Sequence, residues 1–246
     1  MGVLMGVIWP RAAGAAASGL LAAALLACAA PPPPDPPSGS ATAWGFLRLV
    51  PREGVTPRAP GAGSPYADPA LRDVEFVDYS RPGFAVVYLE GTPSPGGLAT
   101  LRIRDGQLRP YLEPEHAAVG VGGTLRVENA SAATHVLSLP DADRVRRIEP
   151  GASVEVELTQ AGAHALFVLD VPDEMGQIFV APGRFAVASA SGRFELRDLP
   201  PGRLRLGAWH PRFPPISRDL ELAPGRALRI DLELGVGSIA EHGDDG

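Results

Sequence analysis

Beyond about residue 42 the chain alternates apolar and polar residues in short runs. Ala99, Leu101 and Ile103 alternate with Thr100, Arg102 and Arg104, and Val154, Val156 and Leu158 with Glu155 and Glu157. Phe194 and Leu196, then Leu204 and Leu206, then Leu228, Ile230, Leu232 and Leu234 repeat the pattern with Arg, Asp and Glu between them. A period of two sends successive side chains to opposite faces, so each run predicts a strand with one buried and one wet face. Only residues 141–148 are a candidate for a turn of helix. Pro201-Gly202 separates two predicted strands at 194–199 and 204–210, with the residues of a type II turn, where glycine takes positive φ without steric cost. Pro150-Gly151 and Pro224-Gly225 each lead directly into a strand. About a dozen strands at spacings of roughly 8 to 12 residues predict an all-β chain of β-sandwiches, and residues 28–246 have room for one large or two small ones.

Composition narrows the choice of partner. The chain has 29 Gly and 27 Pro, yet 45% of its residues are apolar, enough for an ordered core with many turns. The net charge is -6, every basic residue is Arg, and no basic run is longer than Arg146-Arg147, so nucleic acid is not an expected partner. Cys28 is the single cysteine, which excludes an internal disulfide and a cysteine-based zinc site.

Residues 12–27 are uncharged, follow Arg11 and end on a small residue, the layout of a secretory signal too short to span a membrane. Leu25-Leu26-Ala27-Cys28 resembles the lipobox of bacterial lipoproteins. That resemblance implies cleavage before Cys28, diacylglycerol on its thiol, an acylated amine, and a lipid-anchored place in the bacterial cell envelope, facing periplasm or cell surface. An ordinary secreted protein with a chance cysteine is the other reading. The proline run from Pro31 to Pro37 predicts a stiff spacer (28–41) between anchor and fold. Residues 51–72 form a long irregular loop in this reading, and residues 237–246 an acidic tail.

Two stretches carry a family resemblance. Gly123-Thr124-Leu125-Arg126-Val127-Glu128-Asn129, the step of six residues to His135, the Pro150-Gly151 turn and the final hairpin after Ala161-Gly162 make residues 97–183 similar to a cupredoxin (plastocyanin-like) domain. Ser191-Gly192-Arg193-Phe194-Glu195-Leu196, Leu199-Pro200-Pro201-Gly202 and Trp209-His210-Pro211 resemble the second half of a carboxypeptidase regulatory-like (prealbumin-like) sandwich, whose early strand is matched by residues 84–91. The combination resembles exported proteins of the methylamine-utilisation type. It implies one sandwich from residues 42–96 plus 184–236, interrupted by a cupredoxin-like Greek key at 97–183.

A type 1 copper site takes two imidazoles, a thiolate and a weak axial thioether. By the resemblance, His135 corresponds to the first imidazole, the thiolate position falls at or near Val168, the second imidazole at or near Val171, and Met175 stands where the axial ligand is found. Ser131 replaces the family's Asp, and Val136 its following Asn. With the lone cysteine in the lipobox, a blue-copper centre has no thiolate. No cofactor is therefore expected; copper held by His135 and Met175, or by a convergence of His116, His135, His164 and Met175, is the alternative.

Trp209 and His210 form a candidate ligand-binding pair, because the regulatory-like fold is shared with carbohydrate-binding modules; a tryptophan covering the sandwich edge is the competing account. G-x-S-x-G, H-E-x-x-H, P-loop and G-x-G-x-x-G motifs are absent from the sequence. Asp170, Asp173 and Glu174 read as a solvated acidic loop. The expectation is a non-enzymatic envelope lipoprotein whose degenerate cupredoxin-like domain, without the type 1 copper ligands, serves as a binding or scaffolding module for an envelope protein or glycan, with a copper-binding or electron-transfer accessory and a carbohydrate-binding module as alternatives.

Overall fold

The computed structural model describes residues 32–51, 78–142 and 144–235. Cys28 and the signal segment, all but the first residue of the 51–72 loop, and the 237–246 tail lie outside them.

The described residues form seventeen strands and one 3-10 turn, with no longer helix. In chain order β1 (Ala41–Val50) and β2 (Val86–Glu90) come first. Next come β3 (Leu98–Arg104), β4 (Tyr111–Glu113), β5 (His116–Gly120), β6 (Gly123–Asn129), β7 (His135–Leu139), β8 (Arg144–Ile148), β9 (Ser153–Leu158), β10 (Gly162–Val168) and β11 (Met175–Ala181). The chain closes with β12 (Phe185–Val187), β13 (Arg193–Leu199), β14 (Gly202–His210), β15 (Phe213–Leu222), β16 (Ala227–Arg229) and β17 (Leu232–Gly235). The fold is all-β, as the alternation predicts.

Strands from the two ends of the chain build one sandwich. Its sheets are β13-β1-β16, with β17 also paired to β1, and β12-β2-β14-β15. The middle of the chain builds the other from β4-β3-β6-β9 and β5-β11-β10-β7-β8. Each has its own apolar core. Leu47, Leu89, Phe194, Leu199 and Leu206 fill the first, and Leu101, Ile103, Leu125, Leu137, Leu166 and Ile178 the second. These are the inward members of the alternating runs, removed from water by the facing sheet.

Three local readings change. Residues 141–148 are not helical: a 3-10 turn at Pro140–Ala142 leads into β8, which pairs with β7 along its whole length. Cross-strand hydrogen bonding overrides a sequence in which four successive β8 residues are exposed. The run at 228–234 is two strands, interrupted where the Ile230 N–H donates to Trp44 O (2.8 Å) and Asp231 accepts from the Phe46 N–H (3.1 Å). Gly45 permits this approach, since a Cβ there would stand 1.8 Å from Ile230 O. The proline run does not hang free along its length: Pro33 is buried, and the Asp35 carboxylate accepts from the Ala227 N–H (3.3 Å).

A third cluster joins the sandwiches. Val86 and Trp209 from the first meet Phe179 and Ala181 from the second, with Phe84, Tyr88, Ala118 and Phe185 around them. Trp209 stacks on Phe179 with ring centres 4.9 Å apart, and Tyr88 meets the other side of the seam at 5.1 Å from Phe179. Tyr88 lies over Gly207, where a Cβ would come within 2.3 Å of its ring.

Candidate functional site

The site is built at the loop between β6 and β7. Asn129 ends β6 and turns its amide inward, where Nδ2 donates to Ala133 O (2.7 Å) and Ile148 O (3.0 Å). Its Oδ1 accepts from the backbone N–H of Ser131 (3.0 Å) and faces Ser131 Oγ at 2.7 Å. One side chain thus closes the loop, ties it to the end of β8 and aims the Ser131 hydroxyl at the first residue of β7.

That residue is His135, 1% exposed. Its Nε2 is 2.8 Å from Ser131 Oγ and its Nδ1 2.7 Å from Asp170 Oδ2. The other Asp170 oxygen accepts from the Val136 N–H at 2.8 Å. Asp170 follows β10, and its side chain remains 39% exposed. Burial alone raises its pKa, but the Val136 N–H and the His135 imidazole favour the anion more, and hold the carboxyl below its usual 3.8.

Hydrogen accounting shows what this arrangement can do. With its hydrogen on Nδ1 donated to Asp170, the ring meets Ser131 Oγ through Nε2, and the same serine oxygen lies beside Asn129 Oδ1. Both ring nitrogens are engaged, so a metal at His135 must first break a buried hydrogen bond. Ser131, His135 and Asp170 also have the order and spacing of an acyl-transfer relay. Here the hydroxyl is enclosed: Asn129 Oδ1, His135 Nε2, Ala133 O (3.2 Å) and the Ala133 N–H (3.3 Å) surround it, and Ser131 is 5% exposed. Those four neighbours leave the oxygen no open face for a carbonyl carbon.

The other positions that the family resemblance likens to copper ligands are apolar or turned outward. Val168 and Val171 are buried in the core with Leu137, which pairs with Val168 across β7 and β10. Met175 is 37% exposed at the start of β11 and lines an open cleft with Phe167, Leu169 and Pro172. The other histidines have separate surroundings. His164 lies between Asp141 (Nδ1 to Oδ2, 3.2 Å) and Gln160 O (2.8 Å from Nε2). His116 packs against Phe84 at 5.6 Å, and its Nδ1 is buried without a hydrogen-bond partner. Three strand spacings, about 14 Å, separate its strand β5 from β7 in the sheet. Among the described residues no group of three or more His, Cys, Asp or Glu side chains is placed to hold a metal ion.

Trp209 and His210 belong to the seam. Trp209 is 7% exposed with one face covered by Phe179, so the ring is not presented as a platform for a sugar. His210 donates from Nε2 to Pro82 O (2.9 Å) and accepts the Arg212 N–H at Nδ1 (3.0 Å), so both nitrogens of a neutral ring are used. Asp170 is the partner of His135 that the sequence pattern presents only as part of an acidic loop. Asn129-x-Ser131 four residues before a histidine was the available signal; the thirty-five residues to Asp170 gave none.

No protein-family model and no curated protein matches the chain. Among solved structures, a purple cupredoxin from Nitrosopumilus maritimus is 17% identical and covers 34% of this chain and 99% of its own, with a TM-score of 0.30. A reduced amicyanin variant is 17% identical over 33% of this chain and 82% of its own (TM-score 0.28). Plastocyanin from Dryopteris crassirhizoma is 13% identical over 33% and 99% (TM-score 0.28).

Proposed function

We propose that the chain is a non-enzymatic envelope lipoprotein whose cupredoxin-like sandwich carries a hydrogen-bonded latch in place of a copper site, and that it acts as a binding or scaffolding module. The supporting observation is the buried His135, with Ser131 on one ring nitrogen and Asp170 on the other. Val168 and Val171 support the same reading, since neither side chain at these positions donates to a metal. The lipid anchor at Cys28 rests on the lipobox resemblance, and the partner is an envelope protein or glycan.

Metal analysis of the mature protein after copper exposure tests this reading. The expected result is no stoichiometric copper. One tightly held copper per chain that disappears in His135→Ala would overturn it in favour of a copper accessory. The anchor is tested separately: Cys28→Ser moves the protein from the membrane pellet to the soluble fraction, and unchanged fractionation defeats the lipobox reading.

A further inference from the structure

β8 and β9 are the terminal strands of the two sheets in the second sandwich, and the Pro150-Gly151 turn joins them. Among the described residues β8 pairs with β7 alone and β9 with β6 alone, so each has one free edge. Arg144, Val145, Arg146 and Arg147 are all exposed, which leaves both faces of β8 wet, and Val145 is 58% exposed. A cleft of about 540 Å³ opens between the two strands. Arg144 and Arg146, two residues apart on one face of β8, line it together with Glu155 and Glu157 of β9.

Two of the three carboxylates in the cleft already have partners. Asp141 faces His164 at 3.2 Å, and Glu155 is held by Arg126 at 2.5 Å. Arg146 turns one guanidinium N–H to the carbonyl of Val145 (2.9 Å), and among the described residues neither Arg144 nor Arg146 forms an ion pair across the gap. Two guanidinium groups without an ion pair among the described residues therefore stand beside an unpaired strand edge. Exposed edges pair readily with another extended chain unless something blocks them; β8 has neither a proline nor a bulge, and its exposed arginines repel a basic strand while favouring an acidic one.

We propose that this cleft binds an extended acidic peptide, which adds as a strand to the free edge of β8. Cross-strand neighbours set its pattern: carboxylates two residues apart opposite Arg144 and Arg146, with an apolar side chain between them against Val145. Five residues of β8 match about 17 Å of extended peptide. The inference rests on the binding role proposed above and names its partner class. The two fail separately, because metal analysis decides the copper-free latch whether or not a peptide binds.

The test uses the mature chain and fluorescently labelled, capped pentapeptides in an anisotropy titration at low salt. Glu-Val-Glu-Val-Glu binds at least tenfold more tightly than Arg-Val-Arg-Val-Arg, and added salt weakens it. Arg144→Glu with Arg146→Glu lowers its affinity at least tenfold while the thermal midpoint stays unchanged, since both side chains are exposed. Methylating alternate peptide nitrogens abolishes binding, and the bound peptide slows amide exchange along β8. Equal affinity for the two peptides, indifference to N-methylation, or no effect of the arginine changes would overturn the proposal. So would self-association of the chain that the same arginine changes abolish, which would make a second copy the occupant.

Discussion

Replacing Asp170 tests the latch directly, because Ala and Asn make opposite demands on the same network. Asp170→Ala removes the acceptor for a nearly inaccessible His135 Nδ1–H and for the Val136 N–H. Leaving a buried donor unpaired costs about 1–3 kcal/mol, and the partly exposed Val136 amide recovers most of its loss from water. The expected destabilisation is therefore about 2–3 kcal/mol, or roughly 5–10 °C in thermal midpoint for a cooperative unit of this size. Asn keeps an oxygen for the Val136 N–H and offers its NH2 to His135 Nδ1. The imidazole can accept there if its hydrogen moves to Nε2, where it donates to Ser131 Oγ, and the serine O–H still reaches Asn129 Oδ1. Asp170→Asn should then cost less than about 1 kcal/mol. Circular dichroism melts and urea titrations of both variants read the difference. Equal midpoints for Ala and Asn, or an Ala loss below about 2 °C, would refute the account of His135 as a ring held from both sides.

Acid lability should start at the seam. His116 and His210 are held below their usual 6.5, first by burial, and for His210 also by the neighbouring His116; Glu115 and the carbonyl of Pro82 oppose this without outweighing it. The folded chain takes up these protons less readily than the unfolded one, so their stabilisation is complete above 6.5 and declines as pH falls below it. Asp170 adds a second loss below 3.8, as its depressed carboxyl is protonated. Midpoints measured from pH 7.5 to 5 should fall, with a shallower slope in a His116→Gln, His210→Gln variant; parallel slopes would assign the effect elsewhere. Trp209→Ala should cost about 3–5 kcal/mol and loosen both sandwiches, because the stack on Phe179 is the centre of the seam; limited proteolysis that shows no new cleavage would contradict this. Gly45→Ala should cost about 1–3 kcal/mol or more through collision with Ile230 O, and an unchanged urea midpoint would show that the β1 contact gives way freely.

The alternating runs determined the all-β class and the inward face of most strands, since a period of two needs only local chemistry and one buried side. The same runs reveal nothing about which strands meet. The chain leaves the first sandwich after β2 and returns at β12, and that pairing depends on contacts across nearly a hundred residues. β8 shows the limit most plainly: its Arg-rich run has no buried stripe, so its strand form comes from hydrogen bonds to β7. The sequence also determined that neither sandwich contains a cysteine, because the single one stands far upstream at position 28. Tertiary structure decided what His135 does instead. Its carboxylate partner comes from a different hairpin, and only packing of β7 against β10 brings Asp170 to the ring. Trp209 likewise reads as an edge aromatic in one dimension and becomes the centre of a seam once the second sandwich supplies Phe179.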